Sequence, residues 1–583
     1  MRLVVVDLEV FPNEWLFGFK DTETGKYHAI WNDVDKVKKF FEYYKDKAML
    51  VGFNTSQYDN FIIAGILKGY SPQKLFQVSK EIVETPKGEN KPSLRELYSI
   101  RGKLPILDLS QSVGMISLKE YEGFKGLMLD ESDIAWDEQN ITEEMKDNLW
   151  SYNKHDLDAT EELFKDSVNW LQGKLGLMTQ YNLPYDLLNK TDGGLIPKAL
   201  NAQKVSFSDE LDPYVIPKPI KNTVPEMVDF YTKNKLDYDK SLKIMLEGVE
   251  YIFGWGGAHA SIPKYHKKGK LLQIDASSMY PTLMVLWNLL SRAIQGKDRD
   301  AYAKLYSDRL VLKAQGNPLA NVFKLILNTT FGLTKDQYNM LFDPRMANLI
   351  CITGQFVIMD LTLEVQKRGA KVVQVNTDGI LIEYTDDNKS DIMQGVEEFS
   401  KRSKMTMETD EVAEIYQRDV NNYVMTYPNG AIKVKGGSVA QAQSSAHKIK
   451  SANKHRVTNR IVHTAVVAYL IDGVPLETTI NNENDLREFQ IIKKVGRSSY
   501  DKVVSGGKSV QHVNRLYASK NTSHGSLWKH NKDKAPNVWD KVPNAPEHLI
   551  IDNNCELTKF DDLDREWYIE QAKKTLLSFG IEI

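Results

Sequence analysis

Short β-branched runs alternating with amphipathic helical stretches along 583 residues predict a multidomain protein of mixed α/β and α+β class. Three observations support this. The length exceeds what one hydrophobic core sustains and suggests about three to five domains or subdomains. Strand-like runs such as LVVVD, MLVGF, LLQID and VVQVN are each followed by a turn or helix signal. Two loop-forming stretches, NKTDGGLIP and VIPKPIKNTVP, interrupt the periodic segments and mark a boundary between an N-terminal and a central region.

Composition narrows the function classes. The chain is 42% apolar and 26% charged, with no uninterrupted apolar run long enough to span a bilayer. The opening LVVVD is too short for a signal-peptide core, so a cytoplasmic protein is expected. Two cysteines, Cys351 and Cys555, suit a reducing compartment and exclude a disulfide framework or a Cys-ligated zinc. The net charge of −3 does not announce a nucleic-acid binder, but residues 440–534 hold sixteen Lys and Arg against seven Asp and Glu. Such a local basic excess grips phosphates or is simply a solvated face.

Taken in order, LVVVDLEVFPNEWLFGF reads as strand, turn and strand, with Asp7 and Glu9 two apart and so on one face. MLVGFNTSQYDNFIIAGIL gives a strand, a loop containing Asn54, and a helix that starts near Asp59. ILDLSQSVG and ISLKEY give a further strand and a helix start. The segment from Ile141 is a long amphipathic helix in which Tyr152 and Asp156 share a face at i, i+4. A glycine loop, with Gly254, Gly256 and Gly257, precedes LLQIDASSMYP, whose strand ends on Asp275. A helix carrying Arg309 and Lys313 at i, i+4 runs to the Gly316-Asn317-Pro318 break, and a second carries Lys324 and Asn328 at the same spacing. VVQVNTDGILIEY delivers Asp378, and NNYVMTYPNGAIKVKGGSV reads as a hairpin with Tyr423 and Lys435. AHKIKSANKHRVTNRIVHTAVVAYLIDG reads as a basic helix with His447, His455 and His463 at eight-residue intervals, too widely spaced for zinc. Two neighbouring strands that each bring an aspartate into a cleft could hold a pair of hard divalent cations, which clamp the attacking and leaving oxygens of a phosphoryl transfer.

These segments resemble the motifs of family B DNA polymerases and occur in the family's order. DASSMYP is similar to motif A (DxxSLYP), KLILNTTFG to motif B (KxxxNSxYG), and NTDGI to motif C (DTDS). Asp7-x-Glu9, the segment from Asn54 through Tyr58 to Asp59, and Tyr152-x-x-x-Asp156 resemble the three motifs of the family's 3′–5′ exonuclease. The resemblance implies an RNase H-like exonuclease domain over residues 1–175 and a connector with the start of the palm over 176–250. A right-hand polymerase follows, with palm (251–290, motif A), fingers (291–332, motif B), palm (333–440, motif C), then thumb and C-terminal region (441–583). The short chain and compact fingers look most like small bacteriophage enzymes, working in the host cytoplasm.

It further implies two Mg²⁺ ions per active site, with Mn²⁺ as a substitute, held by Asp275 and Asp378 in the palm and by Asp7, Glu9, Asp59 and Asp156 in the exonuclease. Tyr152 would orient the attacking water. Lys324, Arg309 and Lys313 would bind the triphosphate, Asn328 and Phe331 the nascent pair, and Tyr280 would exclude a 2′-hydroxyl. Asn54, Gly256, Gly257, Tyr423 and Lys435 would touch DNA, and Ser117-Leu118 matches an element that contacts single strands. The sequence departs from the family at Gly254 and Phe331 (each for Tyr), Asn376 (for Asp) and Asn421 (for Lys). The partners implied are primer–template DNA, dNTPs, and single-stranded DNA at the exonuclease site, with no membrane. The 49 positions from Asp275 to Lys324 leave no room for a terminal-protein insertion, so ordinary priming is expected. Two alternatives are an exonuclease whose catalytically weak palm is a DNA clamp, and a non-catalytic DNA-binding scaffold.

Overall fold

The computed structural model describes all residues except 1, 87–88, 208, 210–213, 234–236, 318, 452–455, 535–537 and 557–560. His455 and Pro318 therefore lie outside the described residues. The chain forms two compact units, one of residues 1–191, 455–458 and 489–564, the other of residues 192–454, 459–488 and 565–583.

The first unit is built on a five-stranded mixed sheet. Strand β1 (Arg2–Val10) pairs antiparallel with β2 (Trp15–Asp21), which pairs with β3 (Lys26–Trp31); β4 (Ala48–Gly52) and β5 (Ile106–Asp108) extend the other edge in parallel. Val4, Val5 and Val6 are all buried, as a central strand covered on both faces requires. The Pro12-Asn13 turn and both flanking strands fall where the alternation places them. Helix Asp59–Leu67 is apolar from Phe61 onward and packs into the same core. The long helix Glu143–Asp166 is capped by the Thr142 hydroxyl and crosses β1 and β2. Ser117 caps helix Leu118–Lys125 through a reciprocal capping box with Glu120, so its side chain is occupied by the backbone.

The second unit contains a ten-stranded sheet. Its strands are β6 (Leu242–Leu246), β7 (Val249–Phe253), β8 (His259–Ser261), β9 (Tyr265–Ala276), β10 (Lys371–Asn376), β11 (Gly379–Glu383), β12 (Met407–Asp419), β13 (Asn422–Thr426), β14 (Ile432–Lys435) and β15 (Ile449–Lys450). Their spatial order is β15-β14-β13-β12-β9-β11-β10-β8-β7-β6, which puts β9 between β11 and β12. Helix Pro344–Gln366 is long and apolar enough by composition to cross a membrane, yet 89% of its apolar window is buried inside the protein. Its Asp360 accepts from Asn222 N at 3.0 Å and pairs with Arg402 at 2.6 Å, the behaviour of a core helix.

The segment from Ala446 differs from its expected form. Instead of one helix, Ile449–Lys450 adds a parallel edge to β14, and the helix is confined to Arg460–Asp472 behind a left-handed Asn459 (φ 55°). An open sheet edge beside Ile432 and Lys433 outcompetes local helix propensity, so His447 and His463 share no helical stripe. His463 is buried and accepts from Gln441 N. The chain leaves the first unit at Thr191, beyond the residue 175 read from sequence, and helix Asp192–Ala199 forms where a loop was expected. The stretch 441–583, read as one region, is shared between the two units.

Candidate active sites

In the second unit Asp275 is the last residue but one of β9, and β11 begins at Gly379, directly opposite it. Asp378 is thereby the next residue outward, and its carbonyl accepts from Ala276 N at 2.8 Å. Asp275 on β9 and Asp378 in the turn between β10 and β11 meet at one end of the sheet. Glycine is required at 379, because a Cβ there would lie 1.8 Å from Asp275 Oδ1. The turn before Asp378 is sharp: Asp378 N donates to Asn376 O at 2.7 Å across Thr377, a β-branched residue at φ 60°. Strain of this kind persists where surroundings over-determine it. Here Thr377 N donates to Ala258 O at 2.9 Å, and Gly257 lies so close that a Cβ would meet Thr377 Oγ1 at 2.6 Å. The glycine loop thus braces the turn that carries Asp378.

Both carboxylates line a cavity of about 760 Å³. Tyr280, Arg309, Lys313, Lys324, Asn328, Phe331, Tyr423 and Lys435 line it too, so ten of the residues singled out in this unit converge there, while Gly256 and Gly257 lie outside it. Burial raises Asp275 to about 6, with Asp378 adding repulsion and Lys433 opposing it. Asp378 is likewise raised by burial, against the pull of Lys433, Lys435 and Lys324. Tyr280 stacks on Phe331, centroids 4.2 Å apart. Arg309 donates to the Ser278 hydroxyl while its buried Nε has no hydrogen-bond partner among the described residues, and Lys313 pairs with Glu408. Tyr423 is buried and pairs across the hairpin with Lys435, whose ammonium is 6.0 Å from the ring centroid.

Three residues at this site were not anticipated. Gln273 donates to Asp275 Oδ2 at 2.6 Å and is held by Tyr427; its i−2 spacing on one strand was the available signal. Lys433 lies two before Lys435 on one strand and was readable by the same rule. Glu408 stands opposite Asp275 only through the β12 register, which no local pattern encodes.

In the first unit Asp7 and Glu9 are raised by burial and by repulsion from Asp156 and Asp59, Asp7 also by Glu9. Glu9 stands at about 8 and Asp7 well above the ordinary carboxylate range. Burial raises Asp59 to about 7. The four carboxylates singled out in sequence therefore form one mutually repelling cluster. Burial and Asp156 push the Tyr152 phenol upward. Asn153, on the same helix, donates to Asp7 Oδ2 at 2.7 Å and locks helix to strand. Lys119 pairs with Asp156 and, at 3.3 Å, with Glu122, which His155 also contacts at 3.3 Å. Glu122, His155 and Asp156 offer ligand atoms within 4.8 Å of one another. Lys119, Glu122, His155 and Asn153 were not anticipated. Asn54 serves the backbone, taking φ 57° and accepting from Gln57 N and Tyr58 N to turn the chain toward Asp59.

Both donor sets fit hard divalent cations: carboxylate oxygens, clustered and partly buried, whose mutual repulsion a cation relieves.

No family model and no curated protein matches the chain. Among solved structures, the family B DNA polymerase from the hyperthermophilic archaeon Pyrobaculum calidifontis matches with a TM-score of 0.42 at 13% identity, covering 100% of this chain and 78% of that one. At that level the likeness carries no argument.

Proposed function

We propose that the chain is a template-directed DNA polymerase that adds dNTPs to a primer 3′-hydroxyl and removes 3′ nucleotides at a second site. The observation that carries this reading is the convergence of Asp275 and Asp378 in one cavity with three cationic side chains from two helices, Arg309, Lys313 and Lys324. Mg²⁺ held by the two aspartates would neutralise charge on the attacking and leaving oxygens. Arg309 and Lys313 bind the triphosphate, exchanging Ser278 and Glu408 for phosphate oxygens. Lys324 Nζ stabilises the departing pyrophosphate and can give it a proton. The Tyr280 ring, backed by Phe331, fills the space a 2′-hydroxyl would need. At the second site Asp7, Glu9, Asp59 and Asp156 hold the cations for hydrolysis, and the Tyr152 hydroxyl orients water. The mixed five-stranded sheet supports an RNase H-like reading of that unit.

Replication of a bacteriophage genome in the host cytoplasm, from an ordinary primer, is the role this activity suits. A second reading, an exonuclease with a weak palm used as a clamp, draws on Asn376, whose amide is turned to Val420 O at 3.4 Å where the family has an acid.

A labelled primer–template with Mg²⁺, with and without dNTPs, separates the two. Wild type is expected to lengthen the primer with dNTPs and shorten it without. Asp378→Asn is expected to lower extension by more than about a hundredfold while leaving shortening intact. Full extension by that variant would sink the palm assignment.

A further inference from the structure

Part of the basic excess noted in sequence falls in a segment of the first unit that carries a small sheet. From Lys493 to Lys541 there are eleven Lys and Arg against three Asp and no Glu. Within this span Lys508–Ser509, Tyr500–Ser505, Leu527–Asn531 and Trp539–Lys541 form a four-stranded antiparallel sheet in that spatial order. Its register pairs Val504 with Trp528, Lys502 with His530, Trp528 with Lys541, and His530 with Trp539. All six side chains therefore share one face. The other face turns Val503, Leu527 and Asn531 inward, where they are buried.

On the outward face Trp528 and Trp539 remain 40% and 37% exposed. They are diagonal neighbours, about 7–8 Å apart at the backbone, close to the spacing of successive bases in an extended single strand. Leaving more than a third of each indole in water forfeits part of a large burial energy, so a pair on one face marks a contact surface. The charge around them selects the partner. Lys502 and Lys541 stand on this face, whereas Lys508, exposed as well, pairs with Ser505 and so stands on the other. Asp501 is covered by His530 at 2.6 Å and Asp540 by Lys534 at 3.3 Å; Lys541 pairs with Glu547. Part-exposed aromatics beside Lys502 and Lys541 match a strand that offers both base faces and phosphates. Duplex DNA keeps its base faces stacked internally and offers only the phosphates.

We propose that this sheet is a docking platform for single-stranded DNA, with two bases stacked on Trp528 and Trp539 and the backbone neutralised by Lys502 and its neighbours. The surface goes beyond nucleotide addition and removal and needs neither to be correct.

The test uses the full chain in EDTA, so that no strand is degraded. Ultraviolet irradiation with a 5-bromodeoxyuridine oligonucleotide should cross-link peptides containing Trp528 or Trp539. Fluorescence anisotropy should show that Trp528→Ala/Trp539→Ala binds labelled oligothymidylate about tenfold or more weakly, that Trp528→Phe/Trp539→Phe recovers most of the loss, and that blunt duplex affinity moves less than twofold. Lys502→Glu, a change at an exposed position that leaves folding intact, should weaken oligothymidylate binding and lower the salt slope by about one.

Unchanged oligothymidylate affinity in the alanine pair, cross-links confined to other peptides, or equal weakening for blunt duplex would each overturn the platform. Tighter binding of oligouridylate RNA would overturn the assignment to DNA. Should wild type fail to extend primers while the tryptophan dependence holds, the polymerase reading falls and the platform stands.

Discussion

Asp275 and Asp378 meet because Gly379 has no side chain, and this makes a sharp experiment available. Gly379→Ala would place a methyl group 1.8 Å from Asp275 Oδ1, so the carboxylate must rotate away. Overpacking of this kind costs about 1–3 kcal/mol in stability, far less than unfolds a protein of this size, whereas a carboxylate moved by an ångström no longer serves the chemistry. Primer extension should therefore fall about a hundredfold in a variant whose far-ultraviolet circular dichroism is unchanged; undiminished extension would mean that Asp275 does not act from this position. The second cluster responds to pH. Glu9 at about 8 and Asp59 at about 7 bind protons in the folded chain that they release in the unfolded one, where carboxyls titrate near about 4. The folded state holds the extra protons between pH 4 and 8, so these groups make stability fall as pH rises through that window, and the loss is complete above it. In metal-free protein Glu9→Gln should raise the melting temperature at pH 8 and leave it nearly unchanged at pH 4, and Mg²⁺ should raise the wild-type value more at pH 8 than at pH 6. Equal effects at all pH values would contradict the repelling cluster.

The long helix Glu143–Asp166 approaches β2 closely at Gly18. A Cβ there would meet Asn153 Oδ1 at 1.7 Å, while Asn153 Nδ2 holds Asp7. Gly18→Ala should push the helix outward and carry Tyr152 and Asp156 away from Asp7 and Glu9. We expect 3′ shortening to drop at least tenfold with dNTP-dependent extension retained; loss of both together would point instead to global unfolding. Elements of this kind were readable beforehand because their signals are local. β1 and the Pro12-Asn13 turn follow from alternation, this helix from its 3.6-residue period and its Thr142 cap, and the strands leading to Asp275 and Asp378 from their apolar runs. What escaped depends on distant pairing. Glu408 faces Asp275 only because β12 lies beside β9, Lys119 meets Asp156 across 37 residues of chain, and Ile449–Lys450 becomes a strand only because β14 leaves an edge free. No window of sequence holds those partners together.

Chain path and compactness do not coincide in this protein, since residues 489–564 return to the unit begun by residues 1–191. The returning segment completes that unit's core. Ile492 lies so close to Gly123 that a Cβ there would sit 2.9 Å from Ile492 Cδ1, and Leu129, Ile492 and Val513 form one buried cluster packed by Phe124. Polar groups are shared in the same way. Gln490 donates to Gly123 O at 2.9 Å, Asn553 O accepts from Leu129 N at 2.8 Å, and Arg515, only 1% exposed, donates to Leu127 O at 2.5 Å. A fragment ending at residue 191 loses all of these partners at once. Uncovering Leu129 and Phe124 alone costs about 3 kcal/mol, before the loss of partners for the Leu127 carbonyl and the Leu129 amide is counted. For a unit of this size that is a drop of about 6–12 °C in melting temperature. The fragment should accordingly melt well below the corresponding transition of the full chain and shorten single strands poorly, even though it contains Asp7, Glu9, Asp59 and Asp156. Equal melting temperatures would show that residues 489–564 contribute nothing to the unit they fold against. Within the intact chain Arg515→Ala should lower the same transition, because it leaves Gln490, Asp552 and Leu127 without the donor that now satisfies all three.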